Sequence, residues 1–158
     1  MPKQINDHDV YKATIELLLQ NGYAGATTKL IAEAAGINEV TLFRKYGNKA
    51  ELVRTAVQHE AIQLKDEDLQ YSGNIHDDLR RVLKAYLGSA EQHSRLFPLI
   101  MSEMARYPEL RATMQEPLSV MVKVGELLLR YQEENILREE HPLHAVGGLI
   151  GPIIVLTT

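Results

Sequence analysis

Cationic side chains gather in one short stretch near the start of the sequence. Four of the six Lys and Arg residues in the first 50 positions fall there, namely Lys29, Arg44, Lys45 and Lys49. Such groups attract phosphate oxygens, and Arg or Lys can also donate to the O6 and N7 acceptors of guanine. Threonine and asparagine side chains in the same stretch add neutral donors and acceptors. The pattern indicates binding to a nucleic acid rather than bond cleavage.

The distribution of charge along the chain agrees with this interpretation. The net charge is −4, yet residues 1–50 carry six Lys and Arg against five Asp and Glu, and the remainder carries eleven against sixteen. A locally basic face can therefore meet phosphates while the acidic remainder stays away from the duplex.

Two short helices around a glycine turn would position these side chains. Thr27 or Thr28 can cap the first helix, and Gly36 ends it. Asn38 can cap the second helix, in which Leu42 supplies an apolar contact. Two helices joined in this way form a helix-turn-helix, whose second helix enters the major groove.

The rest of the chain shows only helical patterns, so the predicted fold class is all-α. Further helices are expected over residues 7–20, 48–64, 75–93, 97–105, 109–134 and 143–156, and Pro117 should kink or divide the 109–134 segment. The domain prediction is a helix-turn-helix DNA-binding domain over residues 1–50 and a ligand-binding and dimerisation domain over residues 51–158.

Several classes of protein are excluded or disfavoured. The chain has no cysteine, which excludes disulfides and thiolate chemistry, and neither a secretion signal nor a membrane span is present. His141 and His144 lack a carboxylate or cysteine that would complete a metal site. Paired acids such as Asp77 and Asp78 are interpreted as solvated helix faces or caps rather than as acid–base pairs. We therefore expect a cytoplasmic protein that is not an enzyme and has no metal, cofactor or membrane partner.

About a dozen positions between Gly22 and Leu52 then agree with a known signature in order and spacing. They fall among Gly22, Tyr23, Thr27, Thr28, Ile31, Ala32, Ala35, Gly36, Ile37, Thr41, Leu42, Phe43, Tyr46, Lys49 and Leu52. With this register the chain resembles the TetR (tetracycline-repressor-like) family of transcriptional regulators. The resemblance implies a three-helix, N-terminal helix-turn-helix head followed by a C-terminal helical body. Members of the family usually continue into a ninth helix beyond the position of Thr158, so the resemblance implies that either the chain is shortened or its dimer interface is reduced.

Roles in DNA binding follow from the register and from physical chemistry. Thr27 and Lys49 lie at helix starts, where they are expected to hold phosphates. The remaining candidates on the two helices are Thr28, Lys29, Asn38, Glu39, Val40, Thr41, Phe43, Arg44, Lys45 and Tyr46. Of these, Tyr46 could pack, contact phosphate or do both. Phe43 stands where the family commonly has tyrosine, so a hydroxyl is missing. Glu39 could accept from cytosine N4, or repel phosphate unless Arg44 or Lys45 neutralises it.

Two features of the body suggest a pocket and a dimer seam. Aromatic and thioether side chains could line a cavity or simply fill a core; they are Tyr86, Phe97, Met101, Met104, Tyr107, Met121 and Val124. The last helix is apolar nearly all round, which predicts burial against a second copy and hence a palindromic operator.

The function expected from these features is a homodimeric, sequence-specific repressor of double-stranded DNA. Family resemblance implies release from the operator by a small effector, and the lining residues suggest that this effector is largely apolar. The alternative is a helical small-molecule-binding or enzyme-like bundle whose DNA head no longer reads DNA. The cluster of four cations favours the first interpretation, because a protein that no longer binds DNA would have no reason to keep these cations together.

Overall fold

The structure is a computed structural model that describes residues 6–60, 64–93 and 95–157, and every regular element in these ranges is helical. The α-helices are α1 Asp7–Gly25, α2 Thr28–Ala34, α3 Glu39–Tyr46, α4 Lys49–Glu60, α5 Ile75–His93, α6 Leu96–Glu103, α7 Gln115–Glu133 and α8 Pro142–Thr157. Short 3-10 helices occupy Asp66–Leu69 and Pro108–Met114. The predicted all-α class with an N-terminal helix-turn-helix is confirmed. The predicted extension of α4 through residues 61–63 lies outside the described ranges.

The chain divides into two compact units. The head unit comprises Met1–Ala61 and Arg95–Gln115, and the body unit comprises Ile62–Ser94 and Glu116–Thr158. The predicted boundary at residue 50 cuts through the head unit. The reason is that Val53 of α4 and Leu110 share a buried apolar cluster with α1. Apolar packing therefore draws in a segment, residues 95–115, that is distant along the chain.

A small apolar cluster lies beneath the helix-turn-helix. Leu42 of α3, Ile31 of α2 and Val10 of α1 are fully buried in it, together with Leu52 of α4. Burying a side chain of this size contributes about 1.5–3 kcal/mol. Because Leu42 is the inward-facing residue of α3, it fixes which side of that helix faces solvent.

Gly22 interrupts α1 near its end. Its φ of 67° and ψ of 179° are non-helical, so the predicted stop at Asn21 and Gly22 appears as a kink followed by one more short turn. A Cβ atom at Gly22 would lie 2.7 Å from Oε1 of Glu103. The same carboxylate oxygen accepts a hydrogen bond from the Tyr23 amide at 3.4 Å. The positive φ favours glycine at this position, whereas the Glu103 carboxylate ends a flexible side chain that can move aside.

In the body unit, α7 and α8 approach closely at Gly125. A Cβ atom at this buried glycine would meet Cβ of Pro142 at 3.3 Å. The helical pattern predicted over residues 109–134 is divided between Met114 and Gln115. Pro117 is the third residue of α7, where its missing N–H has no intrahelical partner to lose.

The body unit also buries one carboxylate completely. Asp78 accepts hydrogen bonds from the Ser72 hydroxyl at 2.6 Å, the Ser72 amide at 2.8 Å and the Tyr131 hydroxyl at 2.5 Å. Arg81 donates to it at 2.8 Å. Burial alone raises the pKa of Asp78, but these hydrogen bonds outweigh it and lower the pKa to about 2. The charge is therefore held firmly at the start of α5.

Within the described ranges, no helix combines the length and apolar character needed to cross a membrane. The rings of His141 and His144 lie 5.4 Å apart. The described side chains contain no group of three His, Cys, Asp or Glu residues that could hold a metal ion.

Candidate DNA-binding surface

Two side chains cap the helices of the helix-turn-helix. The Thr27 hydroxyl accepts from the Leu30 amide at 3.3 Å, which identifies Thr27 rather than Thr28 as the cap of α2. Oδ1 of Asn38 accepts from the Val40 amide at 2.8 Å and caps α3. Each cap satisfies one of the free N–H groups of a first helical turn. Thr27 and Asn38 thus have structural roles beside the DNA contacts predicted for them.

The solvent side of α3 is partly apolar. Leu42 is fully buried, whereas Val40 is 73% exposed and Phe43 is 43% exposed. Arg44 is exposed on the same helix, and Thr41 is half-buried. The outward side of the second helix therefore presents one cation, one hydroxyl and two apolar groups.

Glu39 is engaged within the helix-turn-helix. Its Oε1 accepts a hydrogen bond from the Thr28 hydroxyl at 2.6 Å. The sequence left open whether Arg44 or Lys45 neutralises this carboxylate, and in the structure its partner is Thr28. The bond connects the start of α2 to the start of α3.

Lys45 and Tyr46 connect α3 to the start of α1. Lys45 forms an ion pair with Asp7, and the Tyr46 hydroxyl donates to the same carboxylate at 2.8 Å. The hydrogen bond from Lys45 lowers the pKa of Asp7. Burial, followed by the bond to Asp7, raises the pKa of Tyr46. The Tyr46 ring packs edge-on against Tyr11 with centroids 6.0 Å apart. These contacts fix the orientation of the end of α3.

Lys49 points toward the end of α1. Its ammonium donates to the Tyr23 carbonyl and lies 4.3 Å from the centroid of the Tyr23 ring. Burial lowers the pKa of Lys49, although Glu103 and Glu109 act in the opposite direction. Burial, followed by the charge of Glu109, raises the pKa of Tyr23 to about 12. The lysine predicted to hold a phosphate thus has internal partners in this structure.

The predicted DNA-binding residues therefore fall into two groups. Among the described residues, Lys29 and Arg44 are exposed and form no ion pair or side-chain hydrogen bond. With Val40, Thr41 and Phe43 they form what we call the open face. The engaged group, whose side chains bond to other parts of the head unit, consists of Thr27, Thr28, Asn38, Glu39, Lys45, Tyr46 and Lys49.

Sequence reasoning missed the residues that hold the engaged group in place. Asp7 was counted only as an acid of the head, and its place in the first turn of α1 gave no sign of a contact with α3. Tyr23 was assigned to the family signature without a partner. Glu103 lies 80 positions from Tyr23, and no local pattern indicates such a contact.

The predicted pocket residues are divided between the two units. Tyr86, Met121 and Val124 belong to the body unit, where Val124 is fully buried in its apolar cluster. Phe97, Met104 and Tyr107 pack against the core of the head unit. Met101 of α6 is 49% exposed.

The body unit contains a separate open cavity of about 500 Å³. Its walls mix acids, cations and apolar side chains, and the lining residues are Asp66, Leu69, Gln70, Tyr71, Lys123, Glu126, Leu127 and Arg130. None of the residues predicted to bind an effector lines this cavity.

The fold and the open face define a class of protein. A helix-turn-helix head whose second helix carries exposed cationic and apolar side chains is the arrangement of a DNA-binding transcriptional regulator. The family comparison agrees, since residues 10–56 match the model of the bacterial regulatory proteins of the tetR family. Residues 10–56 therefore form a DNA-binding head of this family, whose members are transcriptional regulators rather than enzymes.

Individual relatives support the same assignment. The chain is 28% identical over 101 residues to YvkB, an uncharacterized HTH-type transcriptional regulator of Bacillus subtilis. This match covers 64% of this chain and 53% of YvkB. The chain spans about half the length of the curated relatives it matches. Among solved structures, the TetR family regulator PfmR from Thermus thermophilus has a TM-score of 0.71 at 18% identity, covering 93% of this chain and 82% of that one. The flavonoid-responsive regulator FrrA has a TM-score of 0.64 at 22% identity, covering 96% and 85%.

Proposed function

We propose that this chain is a sequence-specific regulator that represses transcription from a palindromic operator and is released by a small, largely apolar effector. The observation that carries the proposal is the open face. Lys29 and Arg44 remain unpaired among the described residues, on a helix-turn-helix whose orientation is fixed by Leu42. Cations without internal partners can contact DNA without first breaking a bond inside the protein.

The proposed division of labour follows the two groups of side chains. Arg44 donates to a guanine, and Thr41 contacts a neighbouring base or phosphate. Lys29 and the N-terminus of α2, capped by Thr27, hold the phosphate backbone. The engaged group keeps α3 at a fixed angle to α1 and α2, so that its outward side meets the groove in a single orientation. A DNA-binding role for Lys49 requires its ammonium to leave Tyr23.

A homodimer is part of the proposal. Helix α8 carries Leu143, which is 51% exposed, and Gly147 and Gly148, beside which the structure leaves open space. Apolar helices of this kind gain stability by packing against another helix at short distance. Two heads related by a two-fold axis would contact half-sites about 34–36 Å apart. Such a dimer, acting on DNA in the cytoplasm, would favour a palindrome.

The effector is proposed to bind in the body unit. The support is the set of adaptable side chains that pack against its apolar cluster, which includes Met121 and the half-buried Tyr86. The structural neighbour FrrA is a flavonoid-responsive regulator, so a helical body of this fold can serve a regulator that responds to a small aromatic molecule. An effector can release DNA only if it binds more tightly to the state that does not fit the operator.

Fluorescence anisotropy with the full chain tests the proposed function. We expect binding to random duplexes that weakens steeply as salt rises, because each neutralised phosphate releases counterions. Several rounds of enrichment should then yield a palindromic consensus bound more tightly than random DNA. A dimer that shows no salt-dependent binding to any duplex would contradict the proposal.

The competing function is a small-molecule-binding bundle with a lapsed DNA head. The observation that favours it is the internal bonding of Lys45 and Lys49, which leaves two of the four clustered cations free for DNA. This alternative predicts ligand-induced thermal stabilisation without any consensus sequence after enrichment.

A further inference from the structure

The geometry of α3 determines which of its side chains stand farthest from the protein. Successive residues of an α-helix are rotated by about 100° around its axis. With Leu42 fully buried, Val40 and Arg44 project most nearly opposite to it, and Phe43 and Thr41 flank them on either side. The 73% exposure of Val40 and the 43% exposure of Phe43 agree with this placement.

The polar side chains at the edges of α3 are already bonded inside the head unit. Glu39 accepts from Thr28, Asn38 caps the helix, and Lys45 pairs with Asp7. Hydrogen-bonding contacts to bases from the outward side are therefore left to Arg44 and Thr41. The other two outward residues, Val40 and Phe43, have neither a donor nor an acceptor in their side chains.

Apolar side chains can read only one base feature in the major groove. Thymine alone among the four bases presents a C5-methyl group there. Valine is suited to contact it because its branched side chain is stiff and loses little rotamer freedom. The exposed apolar surface of Val40 is unfavourably solvated, and contact with a methyl group removes both apolar surfaces from water.

We propose that Val40 and Phe43 make this helix a reader of thymine methyl groups. Each half-site then contains at least one thymine whose methyl group contacts Val40, close to the guanine that accepts from Arg44, and a second thymine faces Phe43. The inference rests on the proposed DNA-binding function and specifies which bases its outward side selects.

Deoxyuridine tests the inference directly, because it pairs like thymidine and lacks only the methyl group. Each thymine of the enriched operator is replaced singly by deoxyuridine, and binding of the full chain is measured by anisotropy at one salt concentration. Removal of one buried methyl group should weaken binding about fourfold at one or two positions in each half-site. The remaining positions should be insensitive.

Val40→Ala identifies the side chain responsible. For this variant we expect about fourfold weaker binding to the thymine operator, while the deoxyuridine effect at one position falls below about twofold, as a double-mutant cycle requires for contacting groups. Because Val40 is exposed, the substitution leaves the buried cluster intact. Val122→Ala, which alters a valine that is 51% exposed on α7, is the matched control and should retain the full deoxyuridine effect.

Two results would overturn the inference. In one, no thymine of the operator is sensitive to loss of its methyl group. In the other, Val40→Ala and Phe43→Ala both retain the full deoxyuridine effect at every sensitive position. Failure of the proposed function is distinct from either result, since in that case no salt-dependent binding and no enriched operator would be found at all.

Discussion

The head unit keeps Asp7 partly exposed beside the cation of Lys45, whereas the body unit buries Asp78 completely under four hydrogen bonds. Both carboxylates bind a cation and a tyrosine hydroxyl. The two carboxylates differ in exposure, because solvent screens the pair of Asp7 with Lys45, whereas the Asp78 carboxylate is fully shielded from water. We infer that Asp78 stabilises its unit, while Asp7 mainly orients the helix proposed to read DNA.

Substitution of the buried carboxylate, Asp78, should have the largest effect on stability. Asp78→Ala should lower the free energy of unfolding by about 3–5 kcal/mol, because it leaves the Arg81 charge and the Tyr131 hydroxyl without their buried partner. Urea unfolding measures the change. Asp77→Ala is the matched control, since Asp77 is an exposed neighbour on α5, and its loss should cost under about 1 kcal/mol. Equal losses of stability for the two variants would show that the burial of Asp78 adds nothing to its contribution.

The same carboxylate predicts the response to acid. Its pKa is lowered from 3.8 to about 2 in the folded protein. A lowered folded pKa contributes stability above the unfolded value, and this contribution is lost as the pH falls through the folded value. We expect the stability advantage of the unaltered chain over Asp78→Asn to shrink by about 2 kcal/mol between pH 5 and pH 2. An advantage that is constant across this range would show that Asp78 is not held as a charged group.

On the open face, substitution should alter recognition rather than stability. Arg44→Ala should reduce discrimination between the enriched operator and its variant at one base pair by about 1–3 kcal/mol. Competition binding measures this difference. Arg111→Ala removes the same charge from an exposed site on the 3-10 helix of the head unit and should leave the preference unchanged. If the two substitutions have similar effects, Arg44 contributes only general electrostatic attraction and does not select a base.

Lys49 tests the distinction between the open and engaged groups. Because its ammonium contacts the Tyr23 carbonyl and ring, Lys49→Ala should lower the free energy of unfolding by about 1 kcal/mol. The slope of log affinity against log salt should not change. If that slope instead falls by about one, Lys49 neutralises a phosphate, as the sequence pattern predicts. Lys12→Ala, at an exposed position of α1, controls for the loss of one charge.

The smallest effect is expected for the exposed ion pair. Lys45→Ala should reduce stability by less than about 1 kcal/mol, because both members of its pair with Asp7 are well exposed. Weaker operator binding at unchanged stability would support an orienting role for the pair. A stability loss as large as that of Asp78→Ala would contradict the distinction between the two carboxylates.

Much of the fold could be predicted because a helix is encoded by residues that are close together in the sequence. The pattern over Ile75–His93 predicted α5 with both of its ends. The cap at Asn38 was visible as a residue type next to an apolar repeat, and the other cap was narrowed to Thr27 or Thr28. The boundary between units could not be predicted in this way. The core of the head unit also contains Leu96, Ile100, Leu110 and Met114, although the body-unit segment Ile62–Ser94 separates them from α4 along the chain.

The candidate DNA-binding surface, like the fold, could be predicted from the sequence only in part. Sequence alone determined the helix-turn-helix, its family register and the twelve residues from which a DNA-binding surface could be built, because caps, periodicity and glycine turns act within a few positions. Only the tertiary structure decided which of those residues remain free. Whether Lys45 and Lys49 face solvent depends on Asp7 and Tyr23, which α1 brings to them from 38 and 26 positions away. Long-range packing of this kind has no periodic signal in the chain.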